Sequence, residues 1–172
     1  MDDAWIGYVG SDTIADLLAR ARQSPRGRLN LNLHPRLDDA IQRLLNAGSP
    51  GSYIRPHRYR AAVWELVMTL RGYVDALVFD DEGRIIRRVA LKPGGEGIIQ
   101  NLGGVWHSFV FVENDSVAFE LKPGPYDREL DKEFAPWAPR EDAPEAATFT
   151  RWMASASAGE RWSLRKSRGG GG

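Results

Sequence analysis

The sequence contains no cysteine, carries no net charge and has only three histidines in 172 residues. Without cysteine there are no disulfides and no thiolate metal sites, and the chain suits a reducing compartment. Lys plus Arg and Asp plus Glu each number 23, so there is no broad basic field of the kind phosphate-backbone binding needs. Nucleic acid is therefore not an expected partner. No apolar run is long enough to span a membrane, and the acidic start, Met1 to Trp5, lacks the positive charge and apolar stretch of a signal peptide. The expectation is a cytoplasmic protein with no membrane partner. What is present is ordinary for a globular chain: 42% hydrophobic and 27% charged residues, at the length of one domain.

Residues 1–50 read as an N-terminal helical segment packed on the rest of the domain. Ser11 can cap a helix whose apolar stripe is Ile14, Leu17, Leu18 and Ala21. A second helix is expected from Pro35, carrying Leu37, Ile41, Leu44 and Leu45 and stopping at Gly48. From about Ser52 to Lys122 the pattern changes to short runs of Val, Ile, Phe and Tyr. Turn signals separate them: Asp80 to Gly83, Lys92 to Gly95, Gly103-Gly104 and Glu113 to Asp115. This spacing describes an antiparallel sandwich or barrel, placed at residues 51–140. Residues 141–163 read as a C-terminal helix. Asp142 and Glu145 resemble a capping box, Pro144 suits the first turn, and Phe149, Trp152 and Met153 share a face. The Gly-rich end cannot pack a core, so 164–172 is expected to be a disordered tail. The whole is one domain.

In Val63–Leu70, Val63, Glu65, Val67 and Thr69 point one way and Trp64, Leu66, Met68 and Leu70 the other. Both faces are mainly apolar, so both need cover. A barrel lumen covers one. The other needs either the chain's own helices or a second copy, which makes a homodimer one expectation.

Polar residues stand out against this pattern. His57 and Tyr59 share a face, Glu65 has the same parity eight residues on, and His107 begins a strand whose Phe109 and Phe111 lie on its side. A carboxylate on an apolar strand face is costly unless paired, hydrogen-bonded or bound to a metal. Two imidazoles and a carboxylate converging in a barrel would form a facial site for Fe, Mn, Ni or Zn. The alternative is that the histidines are separately hydrogen-bonded and Glu65 pairs with an arginine. Spacing leaves both open.

The run Ser52 to Tyr59, with Trp64-Glu65 and Leu70 to Gly72, resembles the first cupin motif, a His-x-His pair with a downstream Glu and Gly. Gly97 through His107 resembles the second, which ends Gly-x-x-His. More narrowly the chain resembles the WbuC-type cupin family, small proteins found among bacterial surface-polysaccharide genes. The supporting residues are Arg28 to His34, Asp39 with Gln42-Arg43, the Ser-Tyr-x-x-Pro-His run, Trp106 to Ser108, Lys122 to Tyr126 and Phe134 to Pro139. This resemblance implies a mainly β protein, a double-stranded β-helix or jelly-roll barrel with N-terminal helices and a C-terminal helix. It also implies metal ligands at His57, Glu65 and His107. Tyr59 falls where cupins usually place the second histidine; a phenol with a pKa near 10 is a poor ligand at neutral pH. Glu65 is one residue farther along than is common, and Leu102 replaces a usual proline.

Three functions follow. A metal-dependent cupin would act on a small polar molecule such as a sugar or sugar nucleotide, with links to surface-polysaccharide metabolism. A metal-free isomerase or epimerase would use His57 or His107 as base and Tyr59 as acid, making Tyr59 and His107 the catalytic candidates. A non-catalytic module would bind a small ligand in the barrel. Around the site, His34 is a candidate for closing the mouth or for a turn, and Arg55, Arg58 and Arg60 for meeting an anionic group. Tyr53 and Tyr126 are candidate phenols at the mouth. Trp106 should pack outside the lumen, and Trp137 should pin the C-terminal segment.

Overall fold

Two apolar faces per strand, separated by Gly-rich turns, give two sheets with cover outside as well as between them. The computed structural model describes residues 7–95, 97–127 and 132–163, so the expected tail at 164–172 lies outside the described residues. A helix, α1 (Ser11–Gln23), precedes nine strands: β1 (Arg28–Asn32), β2 (Ile41–Gly48), β3 (His57–Arg58), β4 (Glu65–Arg71), β5 (Val74–Phe79), β6 (Ile85–Leu91), β7 (Ile98–Asn101), β8 (Trp106–Phe111) and β9 (Ser116–Pro123). A short β10 (Glu133–Phe134) and helix α2 (Ala146–Ser155) follow. The strands form two antiparallel sheets, ordered β1-β2-β9-β4-β7 and β10-β3-β8-β5-β6. Val67 and Ala118 of the first sheet pack against Val74, Ala76, Leu91, Phe109 and Phe111 of the second, forming the apolar half of the lumen.

The helices cover the outside. Leu17, Leu18 and Ala21 of α1 pack on Leu45, Ala47 and Val117, the outer face of β2 and β9. Phe149 and Met153 of α2, both fully buried, close over Leu77, Phe79, Ile85, Trp106 and Val110. Trp137 packs against Phe79, Trp106 and Phe149 in the same cluster, the clasp expected of it.

Three local expectations are corrected. The helix expected from Pro35 is instead strand β2, hydrogen-bonded between β1 and β9. Its outer face, carrying Leu45 and Ala47, is apolar because α1 lies on it, and that extra stripe imitates a helical repeat. Ser11 is the first residue of α1 rather than its cap; the cap is Gly10, and no side chain bonds there. Helix α2 begins after Glu145 with no capping bond, because Asp142 accepts from Arg140 instead.

The outer face of β4 is only partly covered by the chain itself. Leu66 and Met68 are half-buried, Leu70 is 41% exposed and Ile98 on neighbouring β7 is 63% exposed. No helix among the described residues is long and apolar enough to cross a membrane.

Candidate metal centre and ligand cavity

Strand pairing brings the two sequence motifs face to face. His57 on β3 is registered directly opposite His107 on β8, and Glu65 on β4 opposite Asn101 on β7. The turn after Tyr59 interlocks with the turn before His107. Gly104 N–H donates to the Tyr59 carbonyl over 2.8 Å, and a Cβ on Gly103 would stand 2.1 Å from the Arg60 carbonyl. Only glycine permits that approach.

His57, Glu65 and His107 are all buried, and one ligating atom from each lies within 4.8 Å of the other two. The His57 and His107 ring centroids are 4.5 Å apart. Each Nδ1 contacts a backbone carbonyl two residues earlier, Arg55 O and Val105 O, at 2.9 Å. A carbonyl only accepts, so each Nδ1 carries the hydrogen, and in the neutral ring Nε2 keeps its lone pair. Both Nε2 atoms are buried without a hydrogen-bond partner. His107 Nε2 stands 3.1 Å from Glu65 Oε2, a close approach but not a hydrogen bond. Burial first, then Lys132 and His107, pushes the His57 pKa well below its ordinary value, so the ring is neutral at neutral pH.

The carboxylate is held from both sides. Tyr59 O–H donates to Glu65 Oε1 over 3.0 Å, and Asn101 Nδ2 donates to Oε2 over 2.9 Å. Burial alone would raise Glu65, but His107, Lys132 and His57 outweigh it and hold the carboxyl below the usual carboxylate range. Tyr59 thus spends its proton on the carboxylate. The Lys122 and Lys132 ammonium groups lie 4.9 and 5.4 Å from its ring centroid.

These donors suit a divalent transition metal. Two imidazole lone pairs and an ionised carboxylate converge, and both imidazoles are oriented by carbonyls behind them, as is usual for metal-bound histidine. His57, His107 and Glu65 would hold the ion, with Tyr59 and Asn101 orienting the carboxylate.

The centre opens into a cavity of about 290 Å³. His57 and Glu65 lie at one part of its wall, Val67, Phe109, Phe111 and Ala118 at another, and Arg26, Arg28, Arg55 and Glu141 at a third. Glu120 also lines it, hydrogen-bonded by Asn46 at 2.6 Å; burial and then the Glu65 charge push it up to about 7.

The remaining candidates separate. Arg55 lines the cavity, whereas Arg58 pairs with Glu133 and stacks on Trp106, and Arg60 is exposed. His34 is not at the cavity; its Nδ1 meets the backbone of Arg43, the turn role. Tyr53 is not at the mouth but in the core beneath α2, donating to Pro139 O over 2.7 Å. Tyr126 is 41% exposed beside Lys122. Trp106 packs outside the lumen, as expected, and donates to Asp81. Sequence reasoning missed Asn101, Glu120 with Asn46, and Lys132. Alternation in Ala118, Glu120 and Lys122 was the available signal for one of these.

Comparison with solved structures places this architecture. The Staphylococcus aureus capsular polysaccharide assembling protein CapF superposes with a TM-score of 0.55 at 14% identity, covering 64% of this chain and 32% of CapF. An oxalate oxidase in complex with the substrate analogue glycolate gives 0.51 at 15% identity, covering 79% and 68%. A cupin 2 conserved barrel domain protein from Rhodopseudomonas palustris gives 0.47 at 18%, covering 62% and 66%. The chain has the cupin jelly-roll fold, its two antiparallel sheets superposing on CapF and oxalate oxidase. It spans about a third of the length of CapF. A family described only as a domain of unknown function, DUF6016, matches residues 9–91, which ends before the second half of the cupin barrel. No curated protein sequence matches the chain significantly. Tyr59 turns its hydroxyl to the Glu65 carboxylate.

Proposed function

We propose that this cupin holds a divalent transition metal at His57, Glu65 and His107 and uses it to bind and act on a small polar molecule of the sugar or sugar-nucleotide class. The observation that carries the reading is the pair of buried Nε2 atoms, neither with a hydrogen-bond partner, beside one ionised carboxylate. When bound, a divalent ion supplies Lewis acidity toward a carbonyl or hydroxyl. The chain's own residues do the rest. Tyr59 and Asn101 fix Glu65, the apolar half of the lumen limits water, and Lys132 adds positive charge near the carboxylates. The sugar class is supported by the WbuC-type resemblance and by a structural neighbour named for capsular polysaccharide assembly. The partly open face of β4 and β7 supports a homodimer as the assembly. Melting-temperature shifts with a panel of uridine-diphosphate sugars, with and without chelator, test the reading. A shift that needs metal supports it; none with any panel member, metal-loaded or chelated, rejects it.

One observation favours a second reading. His57 Nε2 is buried without a partner and its ring lines the cavity, an arrangement that also suits a metal-free general base. It predicts turnover that survives chelation and disappears in His57→Ala.

A further inference from the structure

The wall of the cavity farthest in character from the histidine centre is built from arginine. Arg55, Phe134 and Glu141 line both the cavity and a shallower depression that also includes Arg140 and Asp142, so this wall is where the cavity meets the surface. Three guanidinium groups, Arg26, Arg28 and Arg55, line this wall with one carboxylate, Glu141, which Arg26 and Arg28 share. Arg26 donates to Glu141 through Nε and Nη2 over 3.0 and 2.8 Å, and Arg28 Nη2 donates over 2.7 Å. One carboxylate cannot neutralise two guanidiniums, and Arg28 is well shielded, with 14% of its side chain exposed.

Arg55 is not paired at all with a carboxylate among the described residues. Its Nη2 donates to the Ala135 carbonyl over 3.0 Å, its guanidinium lies 5.2 Å from the Phe134 ring centroid, and its Nε is buried with no partner. A buried donor of a charged group left without an acceptor is unfavourable, and native structures fill such positions with protein, water or ligand. The histidine end sets two carboxylates, Glu65 and Glu120, against one lysine, Lys132, so in the metal-free protein the arginine wall is the more cationic end.

Resting on the reading of this cavity as the ligand site, we infer that the ligand carries an acidic group, carboxylate or phosphate, which Arg55 receives at the mouth with Arg28 and Arg26 beside it. The same group would then direct the ligand's uncharged hydroxyl or carbonyl end toward His57, Glu65 and His107. Among sugars and their derivatives, sugar acids and sugar phosphates meet this requirement and neutral sugars do not.

The test uses the full-length chelated protein, so that it does not depend on metal. Gluconate, glucose 6-phosphate and glucose are titrated against wild type and Arg55→Gln by calorimetry at low ionic strength. The expected result is binding of at least one anionic probe, weaker or no binding of glucose, and a loss of about tenfold or more in Arg55→Gln, the scale of a hydrogen bond to a charged group. Equal response to glucose and the anions, no response to any probe, or unchanged binding in Arg55→Gln overturns the inference. Should Arg55→Gln not fold, Glu141→Gln carries the test: freeing Arg26 and Arg28 tightens gluconate binding, and unchanged or weaker binding overturns the inference. Anion binding in chelated protein that holds no metal on reloading rejects the metal centre alone. Metal loading without anion preference rejects the arginine mouth alone.

Discussion

His57 and His107 face each other across the β3–β8 ladder, 4.5 Å apart between ring centroids, and each is tethered through Nδ1 to the carbonyl two residues before it. The same local device, repeated on neighbouring strands, turns both Nε2 atoms into the lumen. Because the carbonyls fix the tautomers, the lone pairs point inward before any ligand arrives. Pre-orientation of this kind lowers the cost of binding.

Tyr59→Phe isolates the part played by the residue in the usual second-histidine position. It removes one of the two donors on Glu65 while leaving the ring packed against both histidines. Metal affinity should fall by about 10- to 100-fold, as for other groups that orient ligands. Folding stability should fall by about 1–3 kcal/mol, from a buried acceptor losing its partner. Competition against a fluorescent chelator, beside a urea titration, measures both. An unchanged affinity would mean that Asn101 alone positions the carboxylate.

Arg88→Met should be the most damaging substitution outside the lumen. Arg88 bonds Asp75, whose side chain is 3% exposed, and also caps the end of α2 through the carbonyls of Met153, Ala154 and Ala156. Its loss leaves a buried carboxylate unpaired and the helix end open, a cost of about 3 kcal/mol or more. The urea midpoint should drop while far-ultraviolet dichroism of the folded protein stays unchanged.

Acid should act on the chelated protein through two opposed groups. His57 titrates below 6.5 in the folded state, so the unfolded chain takes up its proton first as pH falls, and stability declines through that range. Glu120 titrates near 7 in the folded state against 4.5 ordinarily. There the folded state binds the proton first, so stability is gained on acidification and lost as pH rises through 7. Glu120→Gln removes the second effect. Melting temperatures at pH 8, 6.5 and 5 should therefore fall more steeply toward acid in Glu120→Gln than in wild type; parallel profiles would contradict the assignment.

How much of this was legible in the sequence varied by type of interaction. The stripe of α1, the turns and the inward parity of His57 and His107 are local periodicities, and each appears where the pattern put it. Strand β2 reads as a helix because its outer face lies under α1, so Leu45 and Ala47 add apolar positions that a solvent-facing strand would not have. Asn101 and Asn46 owe their place to cross-strand register, Asn101 opposite Glu65 and Asn46 opposite Ala118, diagonal to Glu120, which no spacing along one chain encodes. Arg26 and Arg28 meet Glu141 across more than a hundred residues, beyond any local signal.

The three buried ligand atoms of His57, Glu65 and His107 are tested most directly by metal analysis. Protein purified without a nickel column is measured by elemental mass spectrometry beside His57→Ala and His107→Ala, after offering Fe, Mn, Ni and Zn and removing the excess. Near-stoichiometric retention of one divalent metal in wild type, and its loss in both variants, is the predicted result. Substoichiometric metal in wild type, no different from the variants, would contradict it.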